Sequence, residues 1–392
     1  MKLLLVDNAH LFKDVSGCYY TPSIYNDDFF QRYLSVFDSV RFVAKVRKVN
    51  EVDCQKMLKI TDSRVEILEL PWFRGFSGLI KTFPKLFGIF RNCAQGCDCA
   101  IFRIAQVESI LAFLLMKRRS IQIAAEVVND PGAFSNIGVF VRMLLVYLHK
   151  RIIRSSVGVS YVTKWYLQQK YPCNAIKFRG NPDYFTSEYS SISLLESDIT
   201  APRSRFSNDR IVLVHSANHF VDDSKGHKVV IDVLYNLRSK GLPIYVKFIG
   251  DGLARAQFEE YAKEKEVSVY IKFVGKISNH VTYMNEMRSA DICIFPSMSE
   301  GLPRVVIEAL ANGLPTVASR VGGTVELIED KWLFEPSDVE GFSNAIERIV
   351  KDETIYAELS RKGIIMAREF VEPVLKERRT AFYNELMKRS IK

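Results

Sequence analysis

No uninterrupted apolar run in this sequence approaches the ~18 residues that a membrane-spanning helix needs. The run Ile110–Met116 stops at Lys117-Arg118-Arg119, and segment 137–148 is broken by Arg142. The opening MKLLLVDNAH has too few apolar residues before Asp7 for a signal-peptide core and reads instead as a first buried strand. Cysteine occurs seven times, an odd number without the density of a disulfide scaffold, so reduced thiols in the cytoplasm are expected. Cys93, Cys97 and Cys99 cluster without a nearby His or a fourth ligand, which fits structural thiols better than a metal site. No Asp-X-Asp triplet, internal repeat or low-complexity tract occurs, and no His stands between His10 and His149.

What is present is ordinary for a soluble enzyme of two domains: 392 residues, 48% hydrophobic and 25% charged. The net charge of +9 is unevenly spread. Residues 1–185 hold 26 Lys and Arg against 15 Asp and Glu, while 186–392 hold 28 against 30. In the basic half, segment 71–91 mixes Trp72, Phe73, Phe76, Phe83, Phe87 and Phe90 with Arg74, Lys81, Lys85 and Arg91. Segment 142–154 is similar. That composition suits the surface of an anionic bilayer, or else a core helix with a solvated basic face. Basic charge alone is non-specific, and no RNA-binding signature accompanies it, so nucleic acid is not an expected partner.

Strand-like runs at 2–6, 40–46, 65–69, 99–103, 121–128 and 157–161 alternate with helical stretches, and runs at 211–216, 244–249, 269–274, 291–296 and 315–318 repeat the pattern. The α/β alternation predicts two Rossmann-like domains facing each other across a cleft. Their expected bounds are 1–188 and 210–372, with a polar linker at 189–209 and a charged helix at 373–392 that returns to the first domain.

The chemistry concentrates in FPSMSEGLPRVVIEALANGLPTVASRVGG. A buried strand, 291–296, leads to a helix expected over 303–312, with Ser299 or Glu300 as cap, Pro303 in the first turn and Gly313 just past the end. Glu308 is a charge in the middle of an almost wholly apolar helix and needs a partner. Eight helical residues rise about 12 Å, of the order of the span from sugar to ribose across a diphosphate. The helix start, with free amides and a positive dipole end, suits phosphate. Without a ligand, Glu300 would cap the helix and Glu308 would pair with a core base.

The strand, Glu300-Gly301, Glu308-Ala309, Gly313-Leu314-Pro315 and Val317-Ala318-Ser319 together resemble the donor-site signature of the retaining GT-B glycosyltransferases of family 4. The resemblance spans about 205–350 and takes in Lys225-Gly226-His227, Phe248-Ile249-Gly250-Asp251-Gly252 and Phe273-Val274-Gly275. It implies that Glu300 holds hydroxyls of the donor sugar, Glu308 the ribose and Lys225 the diphosphate. Gly250, Val274, Gly301 and Leu302 would line the nucleotide-sugar site. His219 stands where the family usually has an Arg that shares the diphosphate, and Arg304 is a candidate replacement.

On the acceptor side, strand 121–128 ends in Asn129-Asp130-Pro131-Gly132, where many family members have a His. Asp130 could orient or deprotonate the acceptor hydroxyl, with Glu126 further back, or Asp130 could simply form the turn before Pro-Gly. Ser16-Gly17, after the first strand, marks a candidate acceptor or diphosphate loop. Tyr161-Val162-Thr163 and Asn181-Pro182 resemble segments that enter the interdomain crossing.

The resemblance implies a metal-independent, cofactor-free hexosyltransferase. It would move sugar from a UDP- or GDP-sugar to a saccharide acceptor, expected to be lipid-linked, in the cytoplasm or at the inner face of the membrane. A catalytically weak nucleotide-sugar-binding partner of a polysaccharide assembly complex is the alternative. A glycosidase needs its carboxylates roughly 5–9.5 Å apart, closer than a helix-separated pair. A nicotinamide dehydrogenase is disfavoured because Arg255 occupies the third glycine position after Gly250-Asp251-Gly252.

Overall fold

Leu3, Leu4, Leu5 and Val6 are fully buried, as a continuous apolar run should be when a parallel strand is covered on both faces. In the computed structural model, which describes residues 1–22, 24–50, 57–73, 75–104, 106–117, 121–134, 137–204, 206 and 210–391, the side chains of Phe76 and His219 lie outside the described set. So do the bases Arg74, Arg118 and Arg119. The chain forms two compact units, one of Met1–Tyr189 with Lys376–Lys392, the other of Ser190–Leu375.

Among the described residues the first unit carries a nine-stranded sheet. Its strands are β1 (Lys2–Lys13), β2 (Tyr19–Thr21), β3 (Ser39–Lys48), β4 (Leu58–Ile60), β5 (Val65–Pro71), β6 (Cys99–Ile104), β7 (Gln122–Val127), β8 (Gly158–Tyr161) and β9 (Phe185–Glu188). Seven run parallel in the order β5-β3-β1-β6-β7-β8-β9, so the winding reverses between β1 and β6. Ligands of doubly wound sheets bind at the carboxyl ends of strands beside such a reversal. The first strand outruns the expected 2–6 because a bulge between Val6 and Ala9 absorbs Asp7-Asn8 and lets pairing with β3 resume to Lys13. Its far end then pairs antiparallel with β2, which pairs with β4.

The described residues of the second unit form a six-stranded parallel sheet in the order β12-β11-β10-β13-β14-β15. The strands are β10 (Ile211–His219), β11 (Ile244–Asp251), β12 (Ile271–Gly275), β13 (Ile292–Phe295), β14 (Thr316–Ser319) and β15 (Leu333–Phe334). Here the reversal falls between β10 and β13. Val214, Ile249, Cys293, Ala309 and Leu314 meet in its core.

The stretch 189–209 differs from a free polar linker. Ile192 and Leu194 are buried, Leu194 bridges to Val371, and the Thr200 amide donates to the Ala311 carbonyl at 2.9 Å. Arg203 adds bonds to the carbonyls of Asn312, Ala290 and Arg288. Its polar composition hides two apolar anchors and one Arg that ties down loop carbonyls.

Helix Glu372–Ser390 begins next to Pro373, where a missing amide costs nothing. Tyr383 on that helix is fully set into the first unit and stacks on Tyr33, ring centres 5.0 Å apart.

Candidate active site

The site in the second unit is assembled by loops at the carboxyl ends of β10, β11 and β13. After β10 the chain makes a turn at Asp223–Lys225, capped by the Asp222 side chain, and enters helix His227–Ser239 through Gly226. Gly226 has φ +77°, and a Cβ there would lie 2.3 Å from the Pro296 carbonyl oxygen. Only glycine lets the turn approach the end of β13 this closely. The Met298 amide donates to the Ser224 carbonyl at 2.9 Å and fixes the two loops together.

This approach brings Lys225 to Glu300, Nζ to Oε1 2.6 Å. Ser297 Oγ donates to the same carboxylate oxygen at 2.7 Å. Glu300 is therefore not the helix cap. Pro303 holds the N-cap position of helix Arg304–Ala311 without any side-chain bond. The Gly301 carbonyl accepts from the Gly323 amide, and Gly301 and Leu302 are both buried at this turn.

Glu308 lies on that helix. Its neighbours Val306, Ile307, Ala309 and Leu310 are buried. Its partner is Tyr283, which donates to Oε2 at 2.7 Å and lies 3.3 Å from Ser216 Oγ, so no core base neutralises it by a direct bond among the described residues. Although the residue keeps some exposed surface, desolvation pushes its carboxyl above the usual range, opposed by the Tyr283 bond and by the charge of Arg304.

Gly250 has φ +129°, and a Cβ there would lie 1.7 Å from the Ala217 carbonyl oxygen, so the ends of β10 and β11 can close only over glycine. Val274, on β12, packs partly buried against the core. His219 ends β10, opposite Asp251 in register; its side chain, and with it the expected diphosphate contact, lies outside the described residues. Beneath this site His215 and His227 are fully buried, ring centres 4.7 Å apart, and His227 stacks on Phe258. Burial holds His215 down to about 4 and His227 to about 2.

In the first unit the expected acceptor residues are engaged elsewhere. Asp130 is 1% exposed. Its Oδ1 accepts from Tyr171 at 2.5 Å and from the Gly132 amide at 2.9 Å, and its Oδ2 from Lys170 at 2.6 Å. These bonds fasten the turn at Pro131–Ala133 to helix Tyr166–Lys170 and its end. Glu126 is buried too. Its Oε2 accepts from Arg103 Nε at 3.0 Å and Tyr33 at 3.1 Å, its Oε1 from Tyr189 and Tyr383, both at 2.9 Å. Arg103 reaches on to Asp7 Oδ2 at 2.6 Å, which also accepts from Tyr25. Ser16 and Gly17 form the tight β1–β2 turn, Ser16 Oγ bonding to Asp14, instead of a loop at the sheet's parallel edge. Thr163 caps the Leu167 amide at 3.0 Å, and the Tyr161 hydroxyl bonds the Tyr171 carbonyl. Asn181 accepts from the Asp183 amide at 2.8 Å, a local turn contact.

Cys93, Cys97 and Cys99 are buried free thiols. Burial pushes Cys93 and Cys99 up to about 12. Among the described residues no group of His, Cys, Asp and Glu is arranged to hold a metal ion.

Residues 199–366 match the family model of the glycosyl transferases group 1. Protein CapJ of Staphylococcus aureus is 29% identical over 358 residues, 89% of this chain and 86% of CapJ. Among solved structures, sucrose-phosphate synthase from Thermosynechococcus elongatus superposes with a TM-score of 0.74 at 18% identity, covering 99% of this chain and all of that one. Anabaena HepE in complex with UDP and glucose gives 0.64 at 15%, covering 100% and 99%. The matches support a group 1 glycosyltransferase, and the two Rossmann-like sheets agree with the GT-B fold class expected from the sequence.

Three side chains beside the matched motif escaped the sequence reading. Ser297 and Tyr283, the partners of Glu300 and Glu308, lie three and 25 residues away from them in the chain. Thr324 is fully buried with its hydroxyl unpartnered among the described protein groups, one residue beyond the Gly323 that bonds Gly301. Only the turn-rich Val321-Gly322-Gly323 could have drawn attention to it.

Proposed function

We propose that this chain transfers a hexose from a UDP- or GDP-sugar to a saccharide hydroxyl with retention of anomeric configuration. Its role would be in cytoplasmic assembly of a cell-surface polysaccharide (O-antigen, capsule or exopolysaccharide), with the acceptor carried on a lipid diphosphate. The observation that carries the reading is the Lys225–Glu300 pair, held at the sheet reversal by two loops that meet over Gly226. An ammonium group has three protons, and one bond to Glu300 leaves donors for diphosphate oxygens. Glu300, anchored by Ser297, would turn its other oxygen to sugar hydroxyls. Glu308, fixed by Tyr283, would accept from the ribose. The Gly301 and Leu302 amides would lie toward the leaving group, as donors aimed at developing negative charge lower a barrier most. Arg304 would supply a further cation, and His219 one only when protonated.

In the reaction the bond from the anomeric carbon to the diphosphate oxygen breaks as the bond to the acceptor oxygen forms on the same face. The acceptor proton passes to the departing oxygen, and a nucleoside diphosphate leaves. No metal or cofactor is required by this scheme. The HepE structure, solved with UDP and glucose, supports a nucleotide-sugar donor. Asp130, locked by Lys170 and Tyr171, is assigned here to holding its turn.

Turnover with a panel of UDP-, GDP- and ADP-sugars and lipid-linked acceptors tests the reading. Release of nucleoside diphosphate together with a glycosylated acceptor is expected. Binding of every nucleotide with no transfer would overturn it in favour of a silent binding partner.

A further inference from the structure

Helix Val139–Ser155 is unusual in what it leaves uncovered. Val139, Phe140, Val141, Met143, Leu144 and Tyr147 are all exposed, Phe140 to 87%. At 3.6 residues per turn these six positions fall in one sector of roughly 200°. The opposite side turns inward, and near the helix end His149, Ile152 and Ile153 are buried in the first unit. Isolated exposed apolar residues need no explanation, but a contiguous apolar face of this size does.

The same sector changes character along the helix. Its later members include half-buried Lys150 and exposed Arg151 and Arg154, with Leu148 and Ser155 toward its border, and the helix contains no acidic residue at all. The exposed face is thus apolar over its first half and cationic over its second. Phe140 to Tyr147 spans about 10 Å along the axis, two turns of apolar surface. Tyr147 stands between the two halves, where an amphipathic ring is suited to a water–lipid boundary.

A neighbouring surface continues the pattern. Helix Gly75–Asn92 packs on helix Val107–Leu115, which packs on Val139–Ser155, so the three form one layer on the first unit's sheet. From this layer Ile80, Phe83, Phe87 and Leu114 are exposed as well. No helix among the described residues is long and apolar enough to cross a membrane.

We infer that the first unit docks on a bilayer bearing anionic lipids, with the Val139–Tyr147 half of this helix entered among the lipids and Lys150, Arg151 and Arg154 at the phosphate level. Charge selects this occupant. An apolar protein partner would cover the first half and leave three adjacent cations unmatched, whereas an anionic lipid surface satisfies both halves at once. The inference is independent of the donor site and goes beyond it, naming the physical surface from which a lipid-borne acceptor is reached.

The test is co-sedimentation of the full chain with phosphatidylglycerol-rich and with pure phosphatidylcholine vesicles. The chain is expected to bind the former and to be released by salt. Phe140→Ser with Leu144→Ser should lower vesicle affinity by about a hundredfold, from the transfer free energy of two large apolar side chains. Arg151→Glu with Arg154→Glu should lower it by about tenfold or more on anionic vesicles only. Both pairs are exposed, so the fold is retained, which circular dichroism checks. Failure of the unaltered chain to bind phosphatidylglycerol vesicles, or equal binding by the serine variant, would overturn the inference. So would self-association abolished by the serine variant without any vesicle binding, which would point to a second copy. The UDP-dependent thermal shift of the same samples reports on the donor site separately.

Discussion

Lys225 Nζ and Glu300 Oε1 lie 2.6 Å apart, although they come from loops 75 residues apart in the chain. Neither group is fully desolvated, the side chains being 34% and 15% exposed. Their mutual attraction is worth no more than about 1 kcal/mol to folding. Its consequence is positional: the two groups that the proposed reaction needs on either side of a diphosphate sugar are already together. Lys225→Ala should therefore leave the melting temperature nearly unchanged while lowering turnover by about 10²–10³-fold, the loss typical of one donor to a developing anion. Equal loss of stability and activity would mean that the pair is merely structural.

Glu300→Gln and Lys225→Ala should not combine additively. Removing either leaves the other without its partner, so a double-mutant cycle on nucleotide-sugar affinity should show a coupling of about 0.5–3 kcal/mol. A coupling near zero would separate the two residues functionally.

Glu308 holds its proton to higher pH in the folded protein than an ordinary carboxyl, because burial penalises its charged form. The native state thus binds more protons than the unfolded state in the interval above about pH 4.3, and stability falls as pH rises through it. Glu308→Gln removes that cost and should raise the melting temperature at neutral pH, while abolishing the shift produced by UDP. Tyr283→Phe removes the bond that opposes the rise, so the acid limb of the pH–affinity profile should move to higher pH. An unmoved limb would detach Glu308 from nucleotide binding.

His149, His215 and His227 are fully buried, and desolvation holds them down to about 3, 4 and 2. Below about pH 6.5 the unfolded chain takes up protons that these rings refuse, so stability is lost as pH falls, by up to about 1.4 kcal/mol per pH unit for each ring. His227→Phe, which can keep the stack on Phe258, should flatten the acid side of the stability profile measured by urea unfolding from pH 7 to pH 4. An unchanged slope would show that His227 takes up its proton alike in the folded and unfolded states.

Glu126 takes four hydrogen bonds in a buried setting, one of them from Arg103. Glu126→Ala should cost about 3–5 kcal/mol, the usual result of breaking a buried ion pair. A smaller loss, read from urea unfolding of the full chain, would mean that water replaces the carboxylate.

The fold was legible where one physical signal dominated. Leu3–Val6 and Ile292–Phe295 are apolar runs that only a covered strand explains, and Pro303 and Gly313 mark the two ends of one helix. Strands β2, β4, β9 and β15 are two to four residues long, too short for any periodicity, and were missed. The Val6/Ala9 bulge hid the second half of β1 because Asp7-Asn8 reads as a stop. At the site, Glu300, Glu308 and Lys225 stood out through the family motif, whereas Ser297, Tyr283 and Thr324 are common residue types whose meaning depends on contacts remote in sequence. Asp130 is ambiguous for the opposite reason. An acid before Pro-Gly looks alike whether it faces a substrate or, as here, is occupied by Lys170, Tyr171 and the Gly132 amide.

Tyr383, from helix Glu372–Ser390, donates to Glu126 and stacks on Tyr33, both of which leave the ribosome hundreds of residues earlier. The amino-terminal half therefore cannot finish its core during synthesis and must wait, with an acid and a tyrosine face unmatched, until residue 383 emerges. A nascent chain arrested at 375 should remain protease-sensitive in its amino-terminal half, and that delay exposes it to chaperones for most of translation.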